Sequence, residues 1–275
     1  MGVTMLGKLA NTWALIGLFS LITVLAGGCS SNNYAANPVA GRETLTQVST
    51  INALMVGVYD GVMTCGKLKG YGDFGVGTFN TLDGEMIVLD GKIYQAKSDG
   101  KVYSVPDTET TPFAAVTYFD PDLEVNVPTG TDLTGLQTAV DGAIPSVNNF
   151  YAIKIHGIFK YMKVRSVPAQ SKPYPPLTDV TAKQAVFEYN DIQGTVVAWR
   201  CPPYVNGVNV VGYHWHFLSD DKQKGGHILG LQTGEVKTQL DFTPEFLMIL
   251  PDSGSDFYKI DLSGNQSSDI QKAEK

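Results

Sequence analysis

The sequence predicts an α+β fold built on mixed or largely antiparallel sheets, and two observations carry that expectation. Glycine is abundant (29 residues), with 14 prolines, 13 tyrosines and 12 phenylalanines, a balance that favours strands and tight turns over long helices. Apolar runs of strand length bounded by turn residues recur along the chain, whereas helical spacing is confined to a few short stretches. The length of 275 residues allows one large domain or two small ones, and 43% hydrophobic with 17% charged residues is ordinary for a folded chain.

The first residues stand apart from the rest. Lys8 supplies positive charge ahead of residues 13–26, a mostly apolar stretch of 14 residues. A comfortable membrane span needs about 20. The stretch ends Leu25-Ala26-Gly27-Gly28-Cys29-Ser30. This is a bacterial signal-peptide pattern, and a cysteine directly after small residues resembles a lipobox. Ala26 holds the place where leucine is usual, and Leu25 sits one position further back. The expectation is a signal peptide over 1–28, lipidation at Cys29, and an exported chain held to the cell membrane or an outer membrane by that lipid. Polar residues 30–41 read as a flexible tether.

From residue 49 a helix is expected, capped by Ser49, with Ile51, Leu54, Met55, Val58 and Val62 at helical spacing. After a glycine-rich stretch, residues 85–89 and 92–96 read as strands joined by Asp90-Gly91, a strong hairpin signal. A strand is expected over 112–118, a short helix opened by Asp132 over 131–143, and one or two strands over 151–165. Residues 181–189 read as helical. Strand-like runs follow at 195–199, 209–218 and 227–232. Thr243-Pro244-Glu245 has a helix-start pattern, with proline at the first helical position.

Net charge is −7 and no cluster of Lys or Arg is present, which excludes a nucleic-acid partner, since phosphate binding needs a basic footprint. Beyond Cys29 the cysteines are Cys65 and Cys201, far apart and without C-x-x-C spacing, and two buried free thiols are expected.

The sharpest chemical signal is Gly212-Tyr213-His214-Trp215-His216-Phe217-Leu218 followed by His227, a stretch holding three of the chain's four histidines. On a strand, residues two apart share a face, so His214 and His216 project together with Trp215 and Phe217 opposite. Residues 219–226 are polar and end Gly225-Gly226, which can turn the chain back and bring His227 beside the pair. Three neutral imidazoles converging on one point suit Zn2+ with a position left for water or substrate. Iron, copper, nickel and manganese also accept imidazole, so the identity of the metal is less constrained than its binding. His156, alone in a strand-like run, is read as structural.

Gly70-Tyr71-Gly72-Asp73-Phe74-Gly75 satisfies G-x-G-x-x-G. A dinucleotide site requires a strand before this motif and a helix after it. The residues that follow lack a helical period, so a nucleotide site is rejected.

At this point several motifs together resemble one family. Gly72-Asp73-Phe74-Gly75-Val76-Gly77-Thr78-Phe79 with Leu82-Asp83-Gly84-Glu85-Met86-Ile87 looks like the N-terminal signature of alpha-acetolactate decarboxylases. Lys163-Val164-Arg165-Ser166-Val167-Pro168 is similar to that family's arginine segment. His214-x-His216 with His227 matches its three-histidine zinc site in type and spacing. The resemblance runs from about residue 49 to 262. It implies two strand-rich α/β portions, here 46–150 and 151–275, packed into one compact subunit after a lipidated tether over 29–45. It also implies a metal in the cleft between the two portions and a homodimer, the common state of family members. The implied reaction is decarboxylation of (S)-2-acetolactate to (R)-acetoin and CO2. The resemblance assigns Arg165 and Glu85 to catalysis and Thr78 to the substrate pocket. It also folds the C-terminal tail back towards the metal, where Glu274, the one Glu in residues 263–275, supplies a second acid. By composition alone that tail is polar and mobile.

The chemistry is consistent with those residues. Loss of CO2 leaves electron density delocalised as an enediolate. A zinc ion among neutral histidines keeps its charge and acts as a Lewis acid. Arg165 offers a planar fork matching a carboxylate or oxyanion, and Glu85 a proton. Two alternatives remain open from the residues. A cupin-like metal enzyme also uses H-x-H with a later histidine, but normally adds a Glu just after the pair, where this chain has Ser219-Asp220-Asp221-Lys222. A non-catalytic, metal- or ligand-binding surface lipoprotein explains the anchor and the histidines only.

Overall fold

The computed structural model describes residues 41–274. The expected signal peptide, Cys29 and residues 30–40 of the expected tether lie outside them. Among the described residues no helix is long and apolar enough to cross a membrane.

The elements run β1 (Thr44–Val48), α1 (Ile51–Met55), β2 (Met63–Thr64), α2 (Cys65–Leu68), β3 (Phe74–Thr78), β4 (Glu85–Leu89), β5 (Lys92–Ala96), β6 (Val102–Ser104), β7 (Thr110–Thr111), β8 (Ala114–Thr117), β9 (Leu123–Val125) and α3 (Leu133–Ala143). The second half holds β10 (Phe150–Ser166), α4 (Leu177–Thr181), β11 (Ala185–Cys201), β12 (Gly212–Ser219), β13 (Gly225–Thr243), β14 (Glu245–Ile249) and α5 (Ser267–Glu274). Seven strands form one sheet in the order β14-β1-β8-β3-β4-β5-β6, in which only β1–β14 is parallel. The second sheet runs β10-β11-β12-β13-β9, all antiparallel, and β10 also bonds β13, so four strands close on one another. β2 and β7 pair separately. This strand-rich, mixed and antiparallel architecture is the α+β class expected.

Period-two alternation sorts the side chains into layers. Ile153, Ile155, Val196, Ala198, Trp215, Phe217 and Leu240 fill the space within the closed strands, under Leu136 and Val140 of α3. Phe74, Val76, Ile87 and Leu89 of the first sheet meet Val197, Trp199 and Leu218 of the second in a core between the sheets. Met86, Val88, Ala114 and Val116 point the other way, onto Cys65 and Leu68 of α2. Burying each large apolar side chain contributes about 1.5–3 kcal/mol, so these layers fix which face every strand presents. One consequence positions the site. Glu85 shares the inter-sheet face with Ile87, and His214 and His216 share it with Leu218, with Trp215 and Phe217 opposite.

The hairpin at Asp90-Gly91 is present, with φ of 51° and 73° at the two central residues, the left-handed pair such a turn requires. The helix expected over 131–143 is α3, with the Asp132 side chain accepting from the Gly135 N–H. Cys65 and Cys201 are buried free thiols, each pushed up to about 12, chiefly by burial.

Four expectations are corrected. The helix near residue 49 is only Ile51–Met55, and Thr50 caps it through the Ala53 N–H; Ser49 instead turns the chain at a φ of 61°. Beyond Thr181 the helix expected over 181–189 is absent. α4 ends at Thr181, and β11 begins at Ala185 because Ala185, Val186, Phe187 and Glu188 pair with Ser166, Arg165, Val164 and Lys163. Thr243-Pro244-Glu245 opens a strand, since β14 lies parallel to β1 with Glu245 opposite Thr44. Finally, residues 44 and 45 belong to β1, so the ordered fold starts before the tether was expected to end. The G-x-G-x-x-G run leads into strand β3 with no helix after it, in line with the rejection of a nucleotide site.

Candidate active site at a buried three-histidine centre

The β12–β13 hairpin sets His216 directly opposite His227, and β10 sets Arg165 directly opposite His227 on its other side. His216, His227 and Arg165 therefore form a row across three strands, with His214 two residues along β12. The close packing depends on Gly226, where φ is 149° and an added Cβ would sit 2.5 Å from the Arg165 carbonyl oxygen.

One nitrogen from each of His214, His216 and His227 lies within 4.8 Å of the others, and all three side chains are buried. His216 Nδ1 sits 2.8 Å from the Met86 carbonyl. A carbonyl only accepts, so Nδ1 carries the proton and Nε2 is left with a lone pair. That Nε2 is 3.1 Å from His214 Nε2. On His227, Nε2 is 3.1 Å from the Glu274 carbonyl, while Nδ1 is buried and has no hydrogen-bond partner among the described residues. Burial holds His214 down to about 3 and His216 and His227 well below the ordinary value, and the Arg165 charge adds to this in each case. Three buried neutral imidazoles, two of them held by hydrogen bonds to backbone carbonyls, could together hold a metal ion. The 3.1 Å between the Nε2 atoms of His214 and His216 is short enough for both to reach one cation.

Two carboxyls and one guanidinium border the triad. Glu85, 5% exposed, accepts from Arg165 Nη1 at 2.5 Å, and its other oxygen is 3.6 Å from His216 Nε2. Arg165, 3% exposed, also donates to the Ala273 carbonyl at 3.0 Å, and among the described residues its Nε has no partner. Glu274, 7% exposed, places Oε2 at 3.4 Å from His214, 3.6 Å from His227 and 3.7 Å from Arg165 Nη2. Burial raises Glu85 to about 7 against the opposing pull of Arg165, and Glu274 is raised by burial with Arg165 again opposing.

Thr78 is directly opposite Glu85 across β3 and β4, and its hydroxyl donates to the Gly84 carbonyl at 2.7 Å. A narrow pocket is lined by Thr78, Glu85, Arg165, His214 and Glu274. The structure thus gathers Thr78, Glu85, Arg165, Glu274 and the three histidines in one place. His156 stands elsewhere, exposed, 3.4 Å from Asp220. Reading the sequence missed the apolar half of this cavity, Ile51, Leu54, Leu82, Phe113, Val167 and Leu177, and the Met86 and Ala273 carbonyls. The apolar side chains look like any core residue in sequence, and a backbone carbonyl leaves no sequence signal.

Comparison with known proteins identifies the family. The family profile described as alpha-acetolactate decarboxylase matches residues 45–264. The chain is 51% identical over 228 residues to an alpha-acetolactate decarboxylase of Methylococcus capsulatus, covering 83% of this chain and 87% of that one. It is 49% identical over 233 residues to the enzyme of that name from Methanosarcina mazei, covering 85% and 81%. The crystal structure of alpha-acetolactate decarboxylase from Bacillus subtilis superposes with a TM-score of 0.82 at 35% identity, over 84% of this chain and 99% of that one. With its fold, its inward-facing polar residues and these similarities in agreement, the chain belongs to the alpha-acetolactate decarboxylase family.

Proposed function

We propose that this carboxy-lyase converts (S)-2-acetolactate to (R)-acetoin and CO2 at a divalent-metal centre held by His214, His216 and His227, with zinc as the ion. The observation that carries the reading is the convergence of three buried neutral imidazoles, of which His214 lines the same cavity as the Arg165–Glu85 pair. When bound there, the cation supplies Lewis-acid charge for the hydroxyl and ketone oxygens of the substrate.

The chain's own groups account for the rest. Arg165 presents a fixed planar fork at the cavity wall and is suited to orient the substrate carboxylate. When the bond to the carboxyl carbon breaks, its electron pair passes to the remaining carbon and into the adjacent ketone, and CO2 leaves. A proton must then reach that carbon. Glu85, at about 7, is matched to hold one near neutral pH and release it. Glu274, at the end of α5, is placed to manage the hydroxyl proton and to close the cavity against water. The apolar lining accommodates the methyl groups of the substrate.

Export and lipid anchoring at Cys29 complete the proposal and rest on the sequence pattern of residues 1–30. The test is to mix purified mature protein with racemic acetolactate and measure acetoin with and without a chelator. Acetoin formation that the chelator abolishes and added zinc restores supports the proposal; formation indifferent to the chelator overturns the metal's part in it.

A further inference from the structure

A second group of convergent ligands lies away from the histidines. Glu43 immediately precedes β1, Asp122 sits between β8 and β9, and Asp241 lies near the end of β13. One carboxylate oxygen from each falls within 4.8 Å of the others. Acidic clusters at a surface are common and carry little meaning alone. Asp241 makes this one different. It is 0% exposed, yet among the described residues its Oδ1 has no hydrogen-bond partner. Its Oδ2 accepts a single bond, from the Asp120 N–H at 3.1 Å. A buried carboxylate left half-satisfied is destabilising unless a cation or proton is supplied.

The surrounding charges select between those two. Burial pushes Asp241 up to about 7, and Glu43, Asp122 and Asp120 all push in the same direction. The nearby arginine, Arg42, pairs loosely with Asp120 at 3.7 Å on the solvent side. One proton on Asp241 neutralises one of these acids and leaves the outward-facing carboxylates of Glu43 and Asp122 against each other. A divalent cation satisfies all three at once. The donors are all oxygen, with no histidine or thiol among them, and the two outer ligands are exposed, so water can complete the coordination. That chemistry suits a hard cation with a flexible shell of six to eight oxygens.

We propose that Glu43, Asp122 and Asp241 bind a divalent, oxygen-preferring cation such as Ca2+, which clamps the start of β1 to the second sheet. The three ligands sit near Pro244, where β13 of the second sheet runs directly into β14 of the first. The Glu43 carbonyl accepts from the Glu245 N–H at 3.0 Å, and Asp122 Oδ2 accepts from the Phe242 N–H at 2.8 Å. The cation links the segment entering the first sheet to strand β13, whose other end carries His227. Its role is structural, and the site is independent of the histidine centre.

The experiment is equilibrium dialysis of the whole mature chain against radioactive calcium, alongside Glu43→Gln, Asp122→Asn, Asp241→Asn and His216→Ala. The wild type and His216→Ala are expected to bind about one equivalent with a Kd of about 0.1–1 mM, the range of exposed extracellular calcium modules. Glu43→Gln and Asp122→Asn are expected to bind at least about tenfold more weakly, since each removes a charged ligand. Thermal unfolding in about 10 mM CaCl2 should raise Tm by several degrees in the wild type and by little in Glu43→Gln. If Asp241→Asn fails to fold, the two exposed substitutions decide the matter. Absence of calcium binding by the wild type at about 10 mM overturns the proposal, and so does equal binding by the wild type, Glu43→Gln and Asp122→Asn.

Discussion

Replacing Arg165 by alanine removes the guanidinium that faces both buried carboxyls of the site. Its side chain is 4% exposed and that of Glu85 is 6% exposed, so water cannot take its place without rearrangement. Two bonds are lost, one to Glu85 and one to the Ala273 carbonyl that holds the end of α5. Breaking a buried ion pair from one side typically costs about 3–5 kcal/mol. For a chain of this size that is a fall in Tm of roughly 6–20 °C.

The pH dependence supplies a second, independent sign. Glu85 stands at about 7 in the folded chain against an ordinary 4.5, raised by burial and opposed by Arg165. A carboxyl whose folded pKa exceeds its unfolded one makes the folded chain the better proton binder. Stability then falls as pH rises between the two values and is flat above the higher. Without Arg165 the upper edge moves beyond 7, so the deficit of the variant should widen from about pH 6 to about pH 8.5. The assay is thermal or urea unfolding of metal-free wild type and Arg165→Ala across that range. The double variant Arg165→Met with Glu85→Gln should recover part of the loss, because both members of the pair become neutral together. A deficit under about 1 kcal/mol refutes the reasoning, as does one that does not change with pH or a double variant no better than the single. Turnover should be lost in Arg165→Ala while the histidines still take metal, and Arg165→Lys should not restore it fully, since the fork is gone.

Four further outcomes are expected. His216→Ala should lose about one equivalent of metal by elemental analysis, since one of three ligands is removed; unchanged content contradicts the assignment. Glu85→Gln should keep its shape and metal while turnover drops roughly 10²–10⁴-fold, and near wild-type turnover rules out its proton role. A chain ending at Gln271 should lose turnover together with about 1.5–3 kcal/mol of stability, from the lost Arg165 bond, whereas Glu274→Gln should lose turnover alone; full activity with normal metal in both removes Glu274 from the chemistry. In cells fed a labelled fatty acid, the wild type should take up label and Cys29→Ser should not; equal label shows that Cys29 is not the acceptor.

Much of the site was legible because its signals are local. H-x-H needs only period two to share a face, and a short polar turn ending in two glycines is enough to return His227 beside it. Asp90-Gly91 fixed the β4–β5 hairpin for the same reason, since few residues tolerate its backbone angles. The expectations that failed concern segments whose state is decided by distant partners. Residues 185–189 have no helix because β10 offers them a ladder, and Pro244 starts no helix because β1 lies alongside the residues after it.

Arg165 shows the division most clearly. The sequence places it at the end of a long apolar run, and strict alternation from Ile153 and Ile155 would turn it into the core within the closed strands. The structure changes phase instead: Ile153, Ile155 and Phe159 face that core, and then Met162 and Val164 do, with a shift in register between Phe159 and Tyr161. Arg165 is thereby turned to the histidines. α5 is a similar case, because its eight residues have no strong local helix signal and gain their place by burying Ile270 and Ala273. The sequence by itself determined the strand-rich class, the histidine pair with its returning partner, and the family resemblance, since each rests on neighbouring residues or fixed spacing. The tertiary structure alone decided the phase of β10, the docking of the tail and the burial that raises Glu85 and Glu274, because facing direction and desolvation depend on what packs opposite a residue.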